Sequence, residues 1–317
     1  MEFSNEQAIM VTGSSGWLGR SLVQELRAMA PVVALYRHCL PEPQDRVYPV
    51  WCDLLNTELI PAALRGVQTV VHLAWDDEHN EQHTSLNLRA TENLIKGMKD
   101  EGVKNLIFVS SLGVSRDATT AYLREKYEAE CCALNSGLEN VVIWRPAPLF
   151  GGPAVSDRFL RCLYNAARMP LFHPEVVSET LSPLHKDDFI CMLSQNLQQT
   201  ASANLSVFDA VGPDRYTVGE LLCEVGAAMG KGMSLGIRGR AGLFLLKTLE
   251  RKSGYIGRKL IDYAHMSTSH VGYEVKNGLL ELKESLKALS FQGGLDEQKA
   301  LAVDVVAQST PQARLES

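Results

Sequence analysis

The run Val11-Thr12-Gly13-Ser14-Ser15-Gly16-Trp17-Leu18-Gly19 constrains the fold more than any other stretch of the chain. It follows a short apolar segment at 8–11 and leads into a helical apolar pattern at Leu22, Val23 and Leu26. In a strand–turn–helix each glycine has its own task. Gly13 permits the tight turn, Gly16 lets the backbone approach a diphosphate, and Gly19 lets helix and strand pack closely. The N-terminus of the helix, with free N–H groups and the positive end of the dipole, favours an anion. A connection that merely needs glycines is the plainer reading, but a strand before the turn and a helix after it favour a phosphate site.

Beyond the turn, apolar runs at 32–36, 47–51, 69–73, 106–109 and 141–144 alternate with helical patterns at 59–64, 84–99 and 122–134. This order predicts an α/β chain with a doubly wound parallel Rossmann sheet, helices covering both faces. A dinucleotide-binding domain is expected over 1–150, with a return segment near 184–212. At Gly151-Gly152-Pro153 the rhythm breaks. Residues 151–295, with helical patterns near 157–167, 187–198, 218–229 and 276–288, are expected to form mainly a smaller C-terminal substrate-binding lobe. The polar stretch 296–317 reads as a loose tail.

Composition narrows the function. The 317 residues are 45% hydrophobic and carry a net charge of -6, which speaks against a general nucleic-acid binder. Seven cysteines, an odd number with no CxxC pair, fit a reduced, cytoplasmic compartment. The first residues lack the pattern of a signal peptide, and no run is long enough to suggest a membrane span.

The residue after the second strand selects the dinucleotide. An acid there would bind a ribose 2′-hydroxyl, but the run is Ala34-Leu35-Tyr36-Arg37-His38. Arg37 can pair with a 2′-phosphate instead, which favours NADP(H) over NAD(H); the plainer reading is a solvated surface charge. Asp53 can accept from the adenine amino group or, more simply, cap a helix.

A second group of residues concerns the chemistry. The strand at 106–109 ends in Ser110-Ser111, and strand ends of this kind face the ligand crevice. Eleven residues on stand Tyr122 and Lys126, four apart and so on one face of a helix. A free tyrosine ionises at a pH of about 10; a nearby ammonium favours the phenolate. Tyr122 can then exchange a proton with a carbonyl or alcohol oxygen, while Ser111 holds the same oxygen.

Together these residues resemble the extended or atypical branch of the short-chain dehydrogenase/reductase family, the NAD-dependent epimerase/dehydratase-like proteins. The matching features are the run 12–19, Asp53-Leu54, His72-Leu73-Ala74, Asn87-Leu-Arg-Ala-Thr91-Glu-Asn93, Phe108-Val109-Ser110-Ser111, Tyr122 with Lys126, Arg145-Pro146 through Leu149 to Gly151, and His185-Lys-Asp187-Asp188. The resemblance covers roughly residues 8–290. It implies that Gly13, Ser15, Gly16, Trp17 and Leu18 surround the pyrophosphate. It places Leu73, Ala74 and Trp75 along the ribose and nicotinamide, with Leu54 and Val109 also on the cofactor. Lys126 would hold the nicotinamide ribose as well as tune Tyr122, and Pro146 and Leu149 would touch the nicotinamide end. Two departures stand out. The short interval from Ser111 to Tyr122 resembles atypical members related to an accessory subunit of respiratory complex I, some of which use the cofactor structurally. Leu112-Gly113 stands where sugar-nucleotide 4,6-dehydratases carry an Asp-Glu pair, which disfavours dehydration.

The expected function is that of an NADP(H)-dependent oxidoreductase acting on a carbonyl or alcohol of a small organic substrate. An epimerase of a sugar nucleotide or related metabolite, and a non-catalytic NADPH-binding scaffold or redox sensor, are the alternatives. Trp75, Asp76 and Asp77 follow a strand end and can meet substrate. His79 and His83 lie four apart, but no third ligand is evident and no metal site is expected. From 238 to 259 the chain holds seven basic residues and one acid. This segment is expected to cap the core or substrate pocket, or else to meet a membrane surface or anionic carrier. The helices at 84–99 and around Tyr122 offer faces for a homodimer.

Overall fold

Strand β1 (Ala8–Thr12) is buried along its whole length, and its side chains divide by the two-residue period of a strand. Ile9 and Val11 enter one apolar cluster, Ala8 and Met10 another. The computed structural model describes residues 7–76, 84–118, 120–152, 157–167, 180–199, 205–228, 274–277 and 282.

From β1 the chain passes through α1 (Trp17–Leu26), β2 (Val32–Tyr36), β3 (Val47–Trp51), α2 (Ile60–Leu64), β4 (Val67–His72), α3 (Thr84–Asp100), β5 (Asn105–Val109), α4 (Ala121–Leu134) and β6 (Asn140–Pro146). Then come β7 (Leu149–Phe150), α5 (Arg158–Ala167), β8 (Thr180–Leu181), β9 (Leu184–His185), α6 (Lys186–Gln199), β10 (Leu205–Val211), β11 (Tyr216–Thr217), α7 (Val218–Ala228) and β12 (Glu274–Asn277).

Eight strands form one sheet in the order β12-β10-β6-β5-β4-β1-β2-β3, every neighbouring pair parallel. The chain winds outward from β1 to β3, returns to β4 on the other side of β1, and winds outward again. The switch point therefore falls between β1 and β4, and the carboxyl ends of the strands there open the crevice such sheets use for ligands. One face of the sheet is covered by Leu22 and Leu26 of α1, with Leu160 of α5, Phe189 of α6 and Leu221 of α7. The other is covered by Ile60 of α2, Leu94 and Met98 of α3, and Ala129 and Ala133 of α4. Two cores on opposite faces explain why the strands read as continuous apolar runs.

Smaller pairings complete the edge of the crevice: β7 with β9, and β8 with β11. Gly212, just after β10, donates its N–H to the Ser182 carbonyl at 3.0 Å. A Cβ there would stand 1.7 Å from the Pro183 carbonyl oxygen, so only glycine fits.

The structure revises two readings of the sequence. The fourth strand starts at Val67 and stops at His72 rather than running over 69–73. Lys276 and Asn277, expected to open a helix, lie in β12, where they pair with Ala210 and Val211 of β10. Four residues are too few for either period to show, and here the neighbouring strand decides the conformation. The remainder of that expected helix apart from Leu282, His79 and His83, the segment 238–259 and the tail 296–317 lie outside the described residues. All seven cysteines are free thiols. Among the described residues no helix is long and apolar enough to cross a membrane, and no group of three or more His, Cys, Asp or Glu is arranged to hold a metal ion.

Candidate cofactor and catalytic site

At the end of β1 the backbone turns at Gly13, whose φ of +67° lies in the left-handed region that favours glycine. The approach is close as well: a Cβ on Gly13 would stand 2.9 Å from the Ala74 nitrogen. A Cβ on Gly19 would stand 2.2 Å from the Gly13 carbonyl oxygen, so helix α1 rests directly on the turn. Gly16 is the N-cap of α1; no side chain caps the helix, and its first turn carries no acid. An uncapped helix N-terminus behind a glycine backbone seats an anion well. Trp17 lies against Gly152, and its indole Nε1 is buried without a partner among the described residues. Half-buried Ser15 and Leu18 flank the turn. These features fit the diphosphate of a dinucleotide.

Behind the turn runs a buried hydrogen-bonded chain that joins residues 60 or more positions apart. Thr12 Oγ1 accepts the backbone N–H groups of Leu73 and Ala74, both at 3.1 Å. Its hydroxyl hydrogen is then left for His72 Nδ1, 2.7 Å away. On that assignment His72 is a neutral imidazole protonated on Nε2, which donates to Thr91 Oγ1 at 3.0 Å. Thr91 donates in turn to the Asn87 carbonyl, also at 3.0 Å. Burial, and then the charge of Lys126, push the His72 imidazole down to about 3, in accord with the neutral form. The result is a fixed floor beneath Leu73 and Ala74.

Helix α3 supplies three anchors to this side. Asn87 accepts the Asp76 N–H at 2.8 Å and donates to the Asp76 carbonyl at 2.9 Å. Thr91 holds His72. Asn93 donates to the Leu54 carbonyl at 2.9 Å. Asp53, beside Leu54, accepts the Leu55 N–H at 3.0 Å and so closes a short turn.

Arg37 lies just past the end of β2, exposed to solvent. It forms an ion pair with Asp76 at 3.1 Å and donates through Nε to His38 Nε2 at 2.7 Å. The Trp51 indole donates to the Arg37 carbonyl at 3.1 Å.

The Tyr122 end of the crevice is built from side chains. Thr120 caps α4 by accepting the Leu123 N–H. Lys126, only 4% exposed, donates to the Val109 carbonyl at 2.9 Å and stands 3.8 Å above the centre of the Trp75 ring. Tyr122 meets the same Trp75 edge-on at 6.4 Å between ring centroids. Trp75, Val109, Tyr122 and Lys126 are thus brought together, where the strand ends at β4 and β5 meet helix α4. Ser111 is buried, and its hydroxyl donates to the Leu112 carbonyl at 3.2 Å rather than toward Tyr122. The Ser110 hydroxyl is buried with no partner among the described residues. Pro146 ends β6 and accepts the Leu112 N–H at 2.9 Å, and Leu149 pairs with Leu184.

Three features were not read from the sequence. Glu125, between Tyr122 and Lys126, is buried, and burial pushes its carboxyl up to about 7 against the opposing Asn87 hydrogen bond and Lys126 charge. Glu130 and Arg145 form a buried bidentate pair, with Arg145 Nε donating at 2.9 Å. Asp157 accepts the N–H groups of Gly151 and Leu160, both at 2.9 Å; burial pushes its carboxyl up to about 6, against those bonds. Glu125 and Glu130 lie on a helical pattern, where a charge reads as solvated, whereas Arg145 lies on strand β6, where its position in the run RPxxLFG offers a signal.

Comparison with known proteins agrees with this geometry. Residues 13–161 match the family model described as NAD(P)H-binding. An uncharacterized protein of Mycobacterium tuberculosis is 28% identical over 71% of the chain, but the match spans only 23% of that longer protein. The UDP-glucose 4-epimerase of Vibrio cholerae is 26% identical over 71% of the chain and 76% of its own length. The mitochondrial NADH dehydrogenase [ubiquinone] 1 alpha subcomplex subunit 9 of Arabidopsis thaliana is 28% identical over 67% of the chain and 55% of its length. Among solved structures, a nucleoside-diphosphate-sugar epimerase of Staphylococcus aureus superposes with a TM-score of 0.69 at 17% identity, covering 89% of this chain and 100% of that one. The dTDP-glucose 4,6-dehydratase of Bacillus anthracis, in complex with NAD, gives 0.63 at 15%, covering 92% and 98%. The chain carries an NAD(P)-binding domain with a Rossmann fold. Its structural neighbours include a UDP-N-acetylglucosamine 4-epimerase of Bacillus cereus and a dTDP-glucose 4,6-dehydratase of Streptomyces venezuelae.

Proposed function

We propose that this chain binds a nicotinamide dinucleotide along the carboxyl edge of the sheet. It uses that cofactor for oxidation and reduction at an oxygen-bearing carbon of a small organic substrate, with Tyr122 as acid/base. The observation that supports this most directly is the seating of Tyr122 and buried Lys126 around Trp75, one element away from the uncapped glycine turn. In this reading Gly13, Ser15, Gly16, Trp17 and Leu18 hold the pyrophosphate, and Asp53 and Leu54 the adenine end. Leu73, Ala74, Trp75, Val109, Lys126, Pro146 and Leu149 border the ribose and nicotinamide. When bound, the nicotinamide supplies or receives a hydride. Tyr122 moves the proton on the substrate oxygen, and the buried ammonium of Lys126 favours its phenolate form. Ser111 reaches that oxygen after its hydroxyl leaves the Leu112 carbonyl.

Two forms of this chemistry divide on the cofactor. Arg37, placed after β2 with no acid beside it on that strand end, supports an NADP(H)-dependent reductase. The epimerase form, which keeps its nicotinamide and passes the hydride back, is at least as well supported, because the Vibrio relative is named for that reaction on UDP-glucose. The Arabidopsis relative, named as a subunit of NADH dehydrogenase, supports a third reading as a non-catalytic binding subunit.

Titration with NADPH and with NADH, followed by nicotinamide fluorescence, separates the forms. The reductase reading expects NADPH to bind more tightly, and Arg37→Ala to weaken it about tenfold while sparing NADH. A preference for NADH removes the Arg37 argument and puts epimerisation of UDP-glucose first as the assay. In either assay Tyr122→Phe is expected to lower turnover about 100-fold or more with cofactor binding retained. A binding protein with no turnover of UDP-glucose or of a panel of aldehydes and ketones supports the third reading.

A further inference from the structure

Glu125 has no place in the chemistry assigned above, yet it lies in the middle of the residues that perform it. Tyr122, Glu125 and Lys126 stand at i, i+3 and i+4 of α4 and so share one face of the helix. The Glu125 side chain is removed from solvent, at 4% exposure. Its Oε2 accepts a long 3.4 Å bond from Asn87 Nδ2, and its Oε1 is buried with no partner among the described residues. A buried carboxylate held by a long bond from Asn87 and a backbone hydrogen bond from Leu88, with its other oxygen bare, is costly to keep ionised. A surface ornament would be exposed, and a structural ion would be fully hydrogen-bonded, as Glu130 is by Arg145.

Among the described residues few charges surround it. On α4 these are Lys126 and Glu128, the latter on the exposed side of the helix. Packed against them, α3 presents the Asn87 amide and the Leu88 backbone. The loop after β4 presents Asp76, whose carboxylate is engaged by Arg37. Strand β4 presents His72, which is neutral. Lys126 is therefore the cation Glu125 faces, and the same cation stands against Trp75 together with Tyr122.

We propose that Glu125 is a positioning residue that sets the charge around Lys126, and through it the pH at which Tyr122 gives up its proton. An ionised Glu125 offsets the ammonium and makes the phenolate harder to form. A protonated Glu125 leaves the full field of Lys126 on Tyr122. Because burial lifts the Glu125 carboxyl to about 7, the two states exchange around neutrality. Through Asn87, which also grips both backbone groups of Asp76, the same carboxyl touches the loop that carries Trp75. The proposal rests on the reading of Tyr122 as the acid/base.

The test needs no substrate. The phenolate absorbance of the full chain is followed against pH, and the difference between each protein and its Tyr122→Phe counterpart isolates Tyr122. In Glu125→Gln, which keeps the shape, and in Glu125→Met, which also relieves the desolvation, the ionisation of Tyr122 is expected to move down by about one pH unit. Glu125→Asp, which keeps the charge, should return it toward the wild-type position. Glu128→Gln removes an equal but exposed charge and should move it far less. Circular dichroism and NADPH binding report that the variants are folded. Folded Gln and Met variants with Tyr122 unmoved, or moved no more than by Glu128→Gln, overturn the role of Glu125. A wild-type Tyr122 that ionises no earlier than the remaining tyrosines overturns the acid/base reading itself, a distinct result.

Discussion

At the glycine turn, Gly13, Gly16 and Gly19 leave bare backbone as the surface, and neither glycine nor the serines between them titrate. Around Tyr122 the surface is made of side chains: Lys126 is buried there, and burial pushes the His72 imidazole down to about 3 and the Glu125 carboxyl up to about 7. One end of the crevice is thus shaped by the absence of atoms, the other by the placement of charge. The first should respond to added volume and be indifferent to pH. The second should tolerate a change in volume that keeps its charges and hydrogen bonds, and respond to protons.

The largest effect is expected from Gly19→Val. Its Cβ would fall 2.2 Å from the Gly13 carbonyl oxygen, a backbone atom with no rotamer to retreat to. The variant should lose about 3 kcal/mol of stability in urea denaturation and bind NAD(P)H at least about 100-fold more weakly. Retained binding would break the comparison at its first half. Next comes Thr12→Val, close in shape but without the hydroxyl. It leaves the N–H groups of Leu73 and Ala74 and one nitrogen of His72 without their partner, and should cost about 2 kcal/mol. A cost under about 1 kcal/mol would show that the buried chain is not what fixes the floor of the site.

The last expected effect concerns pH and sharpens the second half. His72 has its folded value lowered to about 3 from 6.5. The unfolded chain therefore takes up a proton that the native protein refuses, and stability is lost as pH falls through that window. Glu125 is raised from 4.5 to about 7. The native protein takes up its proton first, so stability is gained as pH falls from about 7 to about 4.5. The two slopes oppose. In Glu125→Gln only the loss remains, with Asp157 unchanged in both proteins. Between about pH 7 and about pH 5 the variant should lose about 2 kcal/mol more than wild type in urea denaturation. Parallel pH profiles would deny Glu125 its raised value.

The same division separates what was legible in the sequence from what was not. The strands of the first half, the turn and its helix could be read because each depends on local pattern: apolar runs, a glycine at a tight bend, a period of 3.6. The bond from Thr12 to His72 joins residues 60 apart and leaves no local trace. Glu125, Lys126 and Glu130 are buried on one helix, although a run of charges on a helical pattern reads as a solvated face. Ser111 was singled out from its strand end, but its hydroxyl goes to Leu112, and nothing short of coordinates distinguishes it from Ser110. Strand β12 is set by β10 rather than by its own four residues.

Helix α3 carries one more consequence. Asn87 grips the loop after β4, Thr91 the histidine of β4, and Asn93 the loop after β3. The three side chains act as notches on a single rod that keep the loop after β3 and the loop after β4 at a constant separation. One residue inserted between 87 and 93 would turn the notches beyond it by about 100° relative to those before it, and no loop adjustment could satisfy both sides. Length in this rod is a quantity the fold cannot trade, whereas residue identity along its outer surface is free to drift.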